Sequence, residues 1–221
     1  MLKYIDKGTG RTLILLPGWG FHPEIIDFKR LHYDLLLPQR PILIENIDFL
    51  VEEIRSIGME KTNILGWSLG ARIAMEAVNH VPSIFSKMIL VSLPAPFDDT
   101  TIKFKLSQLE KDQKKALKGF YLTVFQDDLK AYKLFKKRVE HKCLSFWTKE
   151  ELVQGLKILG QPLPKILDKK ELLLIHGEYD SLCPVNRLPK LKDSKKQKKI
   201  LLSCGHIPFM EDAFYNAVNT F

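Results

Sequence analysis

The sequence predicts an α/β domain: a mostly parallel central sheet flanked by helices, carrying an all-helical insertion. Three observations lead there. Short runs that are apolar throughout recur along the chain, as in strands buried on both faces of a parallel sheet. Segments with helical spacing of apolar residues separate those runs. Between about residues 97 and 165 the alternation stops and helical spacing continues alone. A chain of 221 residues fits one domain with a sizeable core. The expected division is a core of residues 1–96 and 166–221 and a helical cap of residues 97–165.

In order, "TLILLPGWG" (12–20) reads as a buried strand closed by a Pro-Gly loop. "HPEIIDFKRLHY" (22–33) suits a short helix and "DLLLP" (34–38) a second strand. "ENIDFLVEEIRSIG" (45–58) repeats Ile47, Leu50, Val51, Ile54 and Ile57 at helical spacing, with Gly58 as the stop. Strand "TNILG", helix "LGARIAMEAVNHV" and strand "KMILVSL" (87–93) follow. In the insertion, "FKLSQLEKDQKKALKGFYLTVF" places Leu106, Leu109, Ala116 and Phe120 on one stripe. "DDLKAYKLFKKRVEHK" does the same with Leu129, Tyr132, Phe135 and Val139, leaving Lys130, Lys133 and Lys137 on another side. Strands "ELLLIHG" (171–177) and "KILLSCG" (199–205) and the helix "EDAFYNAVNTF" complete the pattern.

The net charge of +8 is uneven. Residues 101–150 hold 13 basic against 6 acidic side chains, whereas residues 1–100 hold 10 against 12. A second basic run is "KLKDSKKQKK" (190–199). Helix-turn-helix spacing, zinc-finger ligands and ribonucleoprotein aromatics are missing, so a nucleic-acid partner is not expected. A basic patch facing an acidic protein or substrate fits, as does a solvated lysine surface. No apolar run reaches the roughly 18 residues of a membrane helix, and the first residues lack the apolar stretch of a secretion signal. Cys143, Cys183 and Cys204 are scattered without a C-x-x-C pair, which suits reduced thiols in a cytoplasmic protein.

Ser68 lies in Gly66-Trp67-Ser68-Leu69-Gly70, between a strand and a helix, and matches the G-x-S-x-G nucleophile elbow. The competing reading is a plain helix cap. A nucleophilic serine needs a base, and the base an orienting carboxylate. Asp180 in "LLLIHGEYDSLCP" and His206 in "ILLSCGHIPFMED" each follow a strand end, in the order this architecture requires. Glu178 is the alternative carboxylate. His32, His80 and His141 read as surface or helix residues, His176 as a packed one. Oxyanion donors are expected from the backbone of Leu69 and from "PGWGF", most directly Trp19, whose indole looks exposed. No metal-ligand cluster or phosphate loop is evident, so neither a metal nor a cofactor is expected.

On "LILLPGWGF", "NILGWSLGA", "GLKILGQPL", "GEYDSLCP" and "GHIPF", in that order and approximate spacing, the chain resembles the α/β-hydrolases, and among them the pimeloyl-[acyl-carrier protein] methyl ester esterases of biotin synthesis. The resemblance covers nearly the whole chain and is loose through the cap. It implies Ser68, Asp180 and His206 as the triad and Trp19 and Leu69 as oxyanion donors, with Phe120 and Phe125 lining an acyl channel to which Trp19, Trp67 and Leu69 contribute. It also implies an acyl carrier protein as partner. The basic segment offers Lys130, Lys133, Lys137 and Arg138 as a docking face for it, and a monomer with no membrane partner is expected. Two features depart from the family: Pro17 stands where a histidine is usual, and the glycine-rich loop after "DLLLP" is missing. A broader carboxylesterase or acyl thioesterase would use the same triad. A hydrolase-fold binder without catalysis would not need it.

Overall fold

A computed structural model describes residues 2–167, 170–191 and 195–221. The basic run 190–199 lies partly outside the described residues. Among the described residues, seven strands form one sheet in the order β1-β3-β2-β4-β5-β6-β7. These are β1 (Leu2–Ile5), β2 (Thr12–Leu16), β3 (Asp34–Pro38), β4 (Thr62–Trp67), β5 (Phe85–Val91), β6 (Glu171–Gly177) and β7 (Gln197–Leu202). Among the described residues, only the β1–β3 pairing is antiparallel. β3 is buried at every position and β2 at all but its first, as their unbroken apolar runs require. The edge strand β1 was not expected. It is four residues long, with Lys3 and Tyr4 exposed, too short to show a period.

The α-helices are α1 (Ile47–Ser56), α2 (Leu69–His80), α3 (Asp99–Lys111), α4 (Gln113–Val124), α5 (Leu129–Arg138), α6 (Glu140–Phe146), α7 (Lys149–Gly160) and α8 (Asp212–Thr220). Five of them, α3 to α7, lie between β5 and β6, where helical spacing stood alone in the sequence. Three expectations are corrected. Residues 22–33 form two single 3-10 turns, Pro23–Ile25 and Phe28–Arg30, because the Asp27 carboxylate accepts the Lys29 N–H and restarts the chain. The long stripe of the insertion is two helices: Asp112 is extended (φ −163°, ψ 102°) and its carboxylate caps α4 at the Lys115 N–H. Leu129 is 66% exposed, so the buried face of α5 rests on Ala131 and Phe135.

Register aligns the carboxyl ends of the central strands: Leu16 pairs with Gly66, Trp67 with Val91, and Val91 with Ile175. Loops from β2, β4, β5, β6 and β7 therefore emerge along one rim. β7 stops at Leu202, short of the expected Gly205, and residues 203–205 turn instead. There the β6 and β7 loops are forced together. A Cβ on Gly177 would lie 2.0 Å from the Gly205 carbonyl oxygen, so only glycine permits the contact.

One buried cation ties the helical insertion to the core. Arg72, on the nearly enclosed helix α2, donates through Nη1 to the Leu159 carbonyl at 2.8 Å. Its Nη2 donates to the carbonyls of Gln161 and of Pro162, the latter at 2.8 Å. Those acceptors are the end of α7 and the two residues that follow it. Replacing Arg72 by Met removes the donors and strands three carbonyls. Urea unfolding of Arg72→Met should show about 2–4 kcal/mol less stability than the parent, the scale of losing charge-assisted bonds to buried acceptors.

Candidate active site

The turn between β4 and α2 leaves no room for ordinary side chains. A Cβ on Gly66 would sit 2.1 Å from the Gly70 carbonyl oxygen, and one on Gly70 would sit 2.2 Å from that of Leu16. Ser68 between them has φ 54° and ψ −117°, a conformation L-residues rarely adopt and that costs about 1–3 kcal/mol. Its N–H donates to the Val91 carbonyl and its own carbonyl accepts the Ala71 N–H, both at 2.9 Å. The hydroxyl caps none of the α2 N–H groups. It borders a small cavity instead, together with His206. The helix-cap reading therefore fails on geometry.

His206 and Asp180 meet across the β6 and β7 loops. The His206 Nδ1–H donates to Asp180 Oδ2 at 2.8 Å, with both side chains buried. Asp180 Oδ1 accepts the N–H groups of Leu182 at 3.0 Å and Cys183 at 2.8 Å. The carboxylate is thus desolvated but fully hydrogen-bonded, as a buried charge must be. Glu178, the alternative, is exposed and accepts the Ser203 hydroxyl at 2.8 Å. With Nδ1 tied to a carboxylate, the other ring nitrogen of His206 is left to accept a proton.

The sequence did not disclose what holds His206 from behind. Its backbone carbonyl accepts the Trp67 indole N–H at 2.9 Å and the Ser92 hydroxyl at 3.1 Å. Ser92, at φ 47°, is the other strained non-glycine residue among those described, and sits directly past β5. A polar residue at a strand end was the only signal for it. His176 is fully buried as expected; its Nε2–H donates to the Cys183 carbonyl at 2.6 Å, bracing the loop that carries Asp180. Burial pushes the His176 pKa down, so this ring is neutral near pH 7. Asp180, Cys183 and His206 offer donor atoms within 4.8 Å of one another. The carboxylate and Nδ1 are already paired with each other, and burial drives the Cys183 pKa well up.

Trp19 differs from expectation in exposure. Its indole is buried, and its N–H donates to the Leu152 carbonyl of α7 at 2.8 Å. Among the described residues, the backbone N–H groups of Trp19 and Leu69 donate to no turn or loop acceptor. Leu69 opens α2, whose partial positive charge adds to the same spot. Both side chains rest on one residue of α7. A Cβ on Gly155 would lie 2.7 Å from Trp19 Cδ1 and 2.9 Å from Leu69 Cδ2.

The cavity at Ser68 is also lined by Trp19, Phe97, Lys105, Phe120, Leu156, Leu159, Leu182 and Cys183. At about 10 Å³ it has room for roughly one water, so an acyl chain needs the cap to give way. Phe120, edge-on to Trp19 at 5.0 Å, separates it from a hollow of about 210 Å³ between α3 and α4. Phe120 and Trp19 thus sit where a channel wall was expected. Trp67 and Phe125 do not. Trp67 is enclosed by Phe21, Phe209 and His206, and Phe125 packs with Phe21, Tyr132 and Phe135. Lys130, Lys133, Lys137 and Arg138 are exposed on α5. Arg138 borders a different groove, with Phe135, Phe209 and Met210, which shares no lining residue with the Ser68 cavity.

This sheet order and the loops at its rim define the α/β-hydrolase fold. A hydrolase from Pseudomonas aeruginosa PA01 superposes with TM-score 0.77 over 99% of this chain and 92% of its own, at 14% identity. An esterase from Exiguobacterium antarcticum gives 0.76 over 99% and 94%, at 18% identity. No protein-family model matches the chain. Over nearly its whole length the sequence resembles pimeloyl-[acyl-carrier protein] methyl ester esterases. That of Nitrosomonas europaea is 24% identical, across 92% of this chain and 91% of its own. That of Wigglesworthia glossinidia brevipalpis is 29% identical, across 94% and 91%.

Gly155→Ala tests the shared seat of Trp19 and Leu69. The added methyl must push one of them, which should lower kcat on a short aryl ester about tenfold or more while costing only about 1–3 kcal/mol of stability. Steady-state kinetics beside a thermal melt separates the two effects.

Proposed function

We propose that the chain is a serine carboxylesterase that removes the methyl ester from a pimeloyl chain borne on acyl carrier protein, in the biotin route. The carrying observation is that His206, paired with the buried Asp180, lines one cavity with the strained Ser68. The full-length likeness to esterases of that description supports the substrate. His206 takes the Ser68 proton as the oxygen attacks the ester carbonyl. The tetrahedral oxyanion meets the N–H groups of Trp19 and Leu69, then collapses to release methanol, which leaves with the proton from His206. Water, deprotonated by the same imidazole, attacks the acyl-enzyme, and the free carboxylate departs as Ser68 is reprotonated. Asp180 holds the tautomer and stabilises the transient imidazolium.

Helices α3 to α7 act as the lid. Phe120 moves aside to admit the acyl chain, whose apolar body runs along Leu156 and Leu159. The carrier stays outside, its acidic surface met by the exposed cations of α5, in a protein working as a monomer in the cytoplasm. Among the described residues no helix is long and apolar enough to cross a membrane.

The same preparation, offered carrier-linked pimeloyl methyl ester, short aryl esters and acyl thioesters, should favour the first by two orders of magnitude in kcat/KM. Equal rates would instead mark a broad esterase. Charge reversal at Lys133, Lys137 and Arg138 should cut turnover of the carrier-linked ester at least tenfold and spare the aryl ester. Such a contact weakens with salt, since charges are screened over about 8 Å at physiological ionic strength. Equal losses on both substrates would remove α5 as the docking face.

A further inference from the structure

Lys105 is a cation that neither the packing of the fold nor the ester chemistry above employs. From α3 it reaches the wall of the Ser68 cavity beside Phe97, Phe120 and Leu182, and it also lines the hollow between α3 and α4. The two spaces share Trp19, Lys105 and Phe120, so Lys105 stands at the neck between them. Its Nζ lies 4.7 Å from the centroid of the Phe120 ring. Among the described residues no carboxylate lies within ion-pair distance of it. Other half-buried lysines are matched: Lys142 to Glu24 at 2.5 Å, Lys87 to Glu171 at 3.4 Å, and Lys170 to the Phe85 carbonyl at 2.6 Å. Burial alone, with no charged neighbour, pushes the Lys105 pKa down. A half-buried ammonium set against a ring, with no carboxylate beside it, is short of a counter-ion.

We infer that Lys105 makes this neck a binding site for the carboxylate of an aliphatic acid, the chain lying on Phe97, Leu156, Leu159 and Leu182. The inference deepens the proposed function and rests on it for the nature of the chain. A neutral ester gives the ammonium nothing to pair with; a carboxylate does. The carboxylate has two sources: the product released at Ser68, or the far end of a free diacid monoester.

Binding is read by calorimetry on the Ser68→Ala protein, with heptanoate, 1-heptanol and methyl heptanoate as probes. Heptanoate should bind at least tenfold more tightly than the two neutral probes. Adding Lys105→Met should abolish that preference, and Lys105→Arg should keep most of it, with thermal melts confirming folded protein. Equal binding of acid and alcohol, or a preference that survives Lys105→Met, overturns the inference. In the protein with Ser68 intact, a KM lower for monomethyl pimelate than for methyl heptanoate, lost in Lys105→Met, identifies the distal carboxylate. Equal KM values with Lys105-dependent competitive inhibition by heptanoate identify the product. A carboxylate preference in a protein that hydrolyses no ester would sustain the site and refute the esterase.

Discussion

Everything at this rim depends on how closely backbone meets backbone where β4 turns into α2. Gly66, Gly70 and the Leu16 carbonyl approach to distances at which no Cβ fits. That contact fixes α2 against β2 and β4 and forces Ser68 into its strained conformation. Strain of this kind persists only when its surroundings over-determine it. Here they do: the Ser68 N–H is bonded to β5, its carbonyl to the first turn of α2, and the adjoining Trp67 is enclosed on every side. The free hydroxyl is a consequence of that arrangement.

The histidine and carboxylate are brought in by similar means. Gly177 lets the β6 and β7 loops touch, and His176 braces the segment between Asp180 and Cys183. Trp67 and Ser92 then grip the His206 carbonyl from β4 and β5. Four strands thereby position one imidazole. Burying the Asp180 carboxylate would cost several kcal/mol without partners; two backbone N–H groups and His206 supply them. The helical insertion completes the enclosure from above. Its α7 carries Gly155 under Trp19 and Leu69, Leu156 and Leu159 into the cavity wall, and terminal carbonyls onto Arg72. In the block "GLKILGQPL" Gly155, Leu156 and Leu159 therefore each have a physical reason.

The parallel sheet was legible because strands buried on both faces leave unbroken apolar runs, and Ser68, Asp180 and His206 because each follows a strand end; β7, before His206, is an edge strand marked only by a short apolar stretch. The structure brings these three to one place. Local pattern was less informative in the insertion. The stripe through Leu109 and Ala116 is continuous in spacing although Asp112 breaks the helix, since a cap changes direction without changing period. Aromatic residues were the other blind spot. Nothing in the sequence separates Phe120, on the cavity wall, from Phe125 and Trp67, one layer deeper. Nor could charge tell which face of the insertion adjoins the site: the α5 cations are the densest run, while the hollow next to Ser68 opens between α3 and α4.

The central claim, that the strained hydroxyl of Ser68 is a nucleophile driven by His206, is tested most directly by intact-mass and peptide mapping after brief treatment with a fluorophosphonate. One adduct on Ser68, formed at least a hundredfold more slowly in His206→Gln, is the expected result. Folded protein that takes up no adduct, or takes it up elsewhere than Ser68, would contradict it.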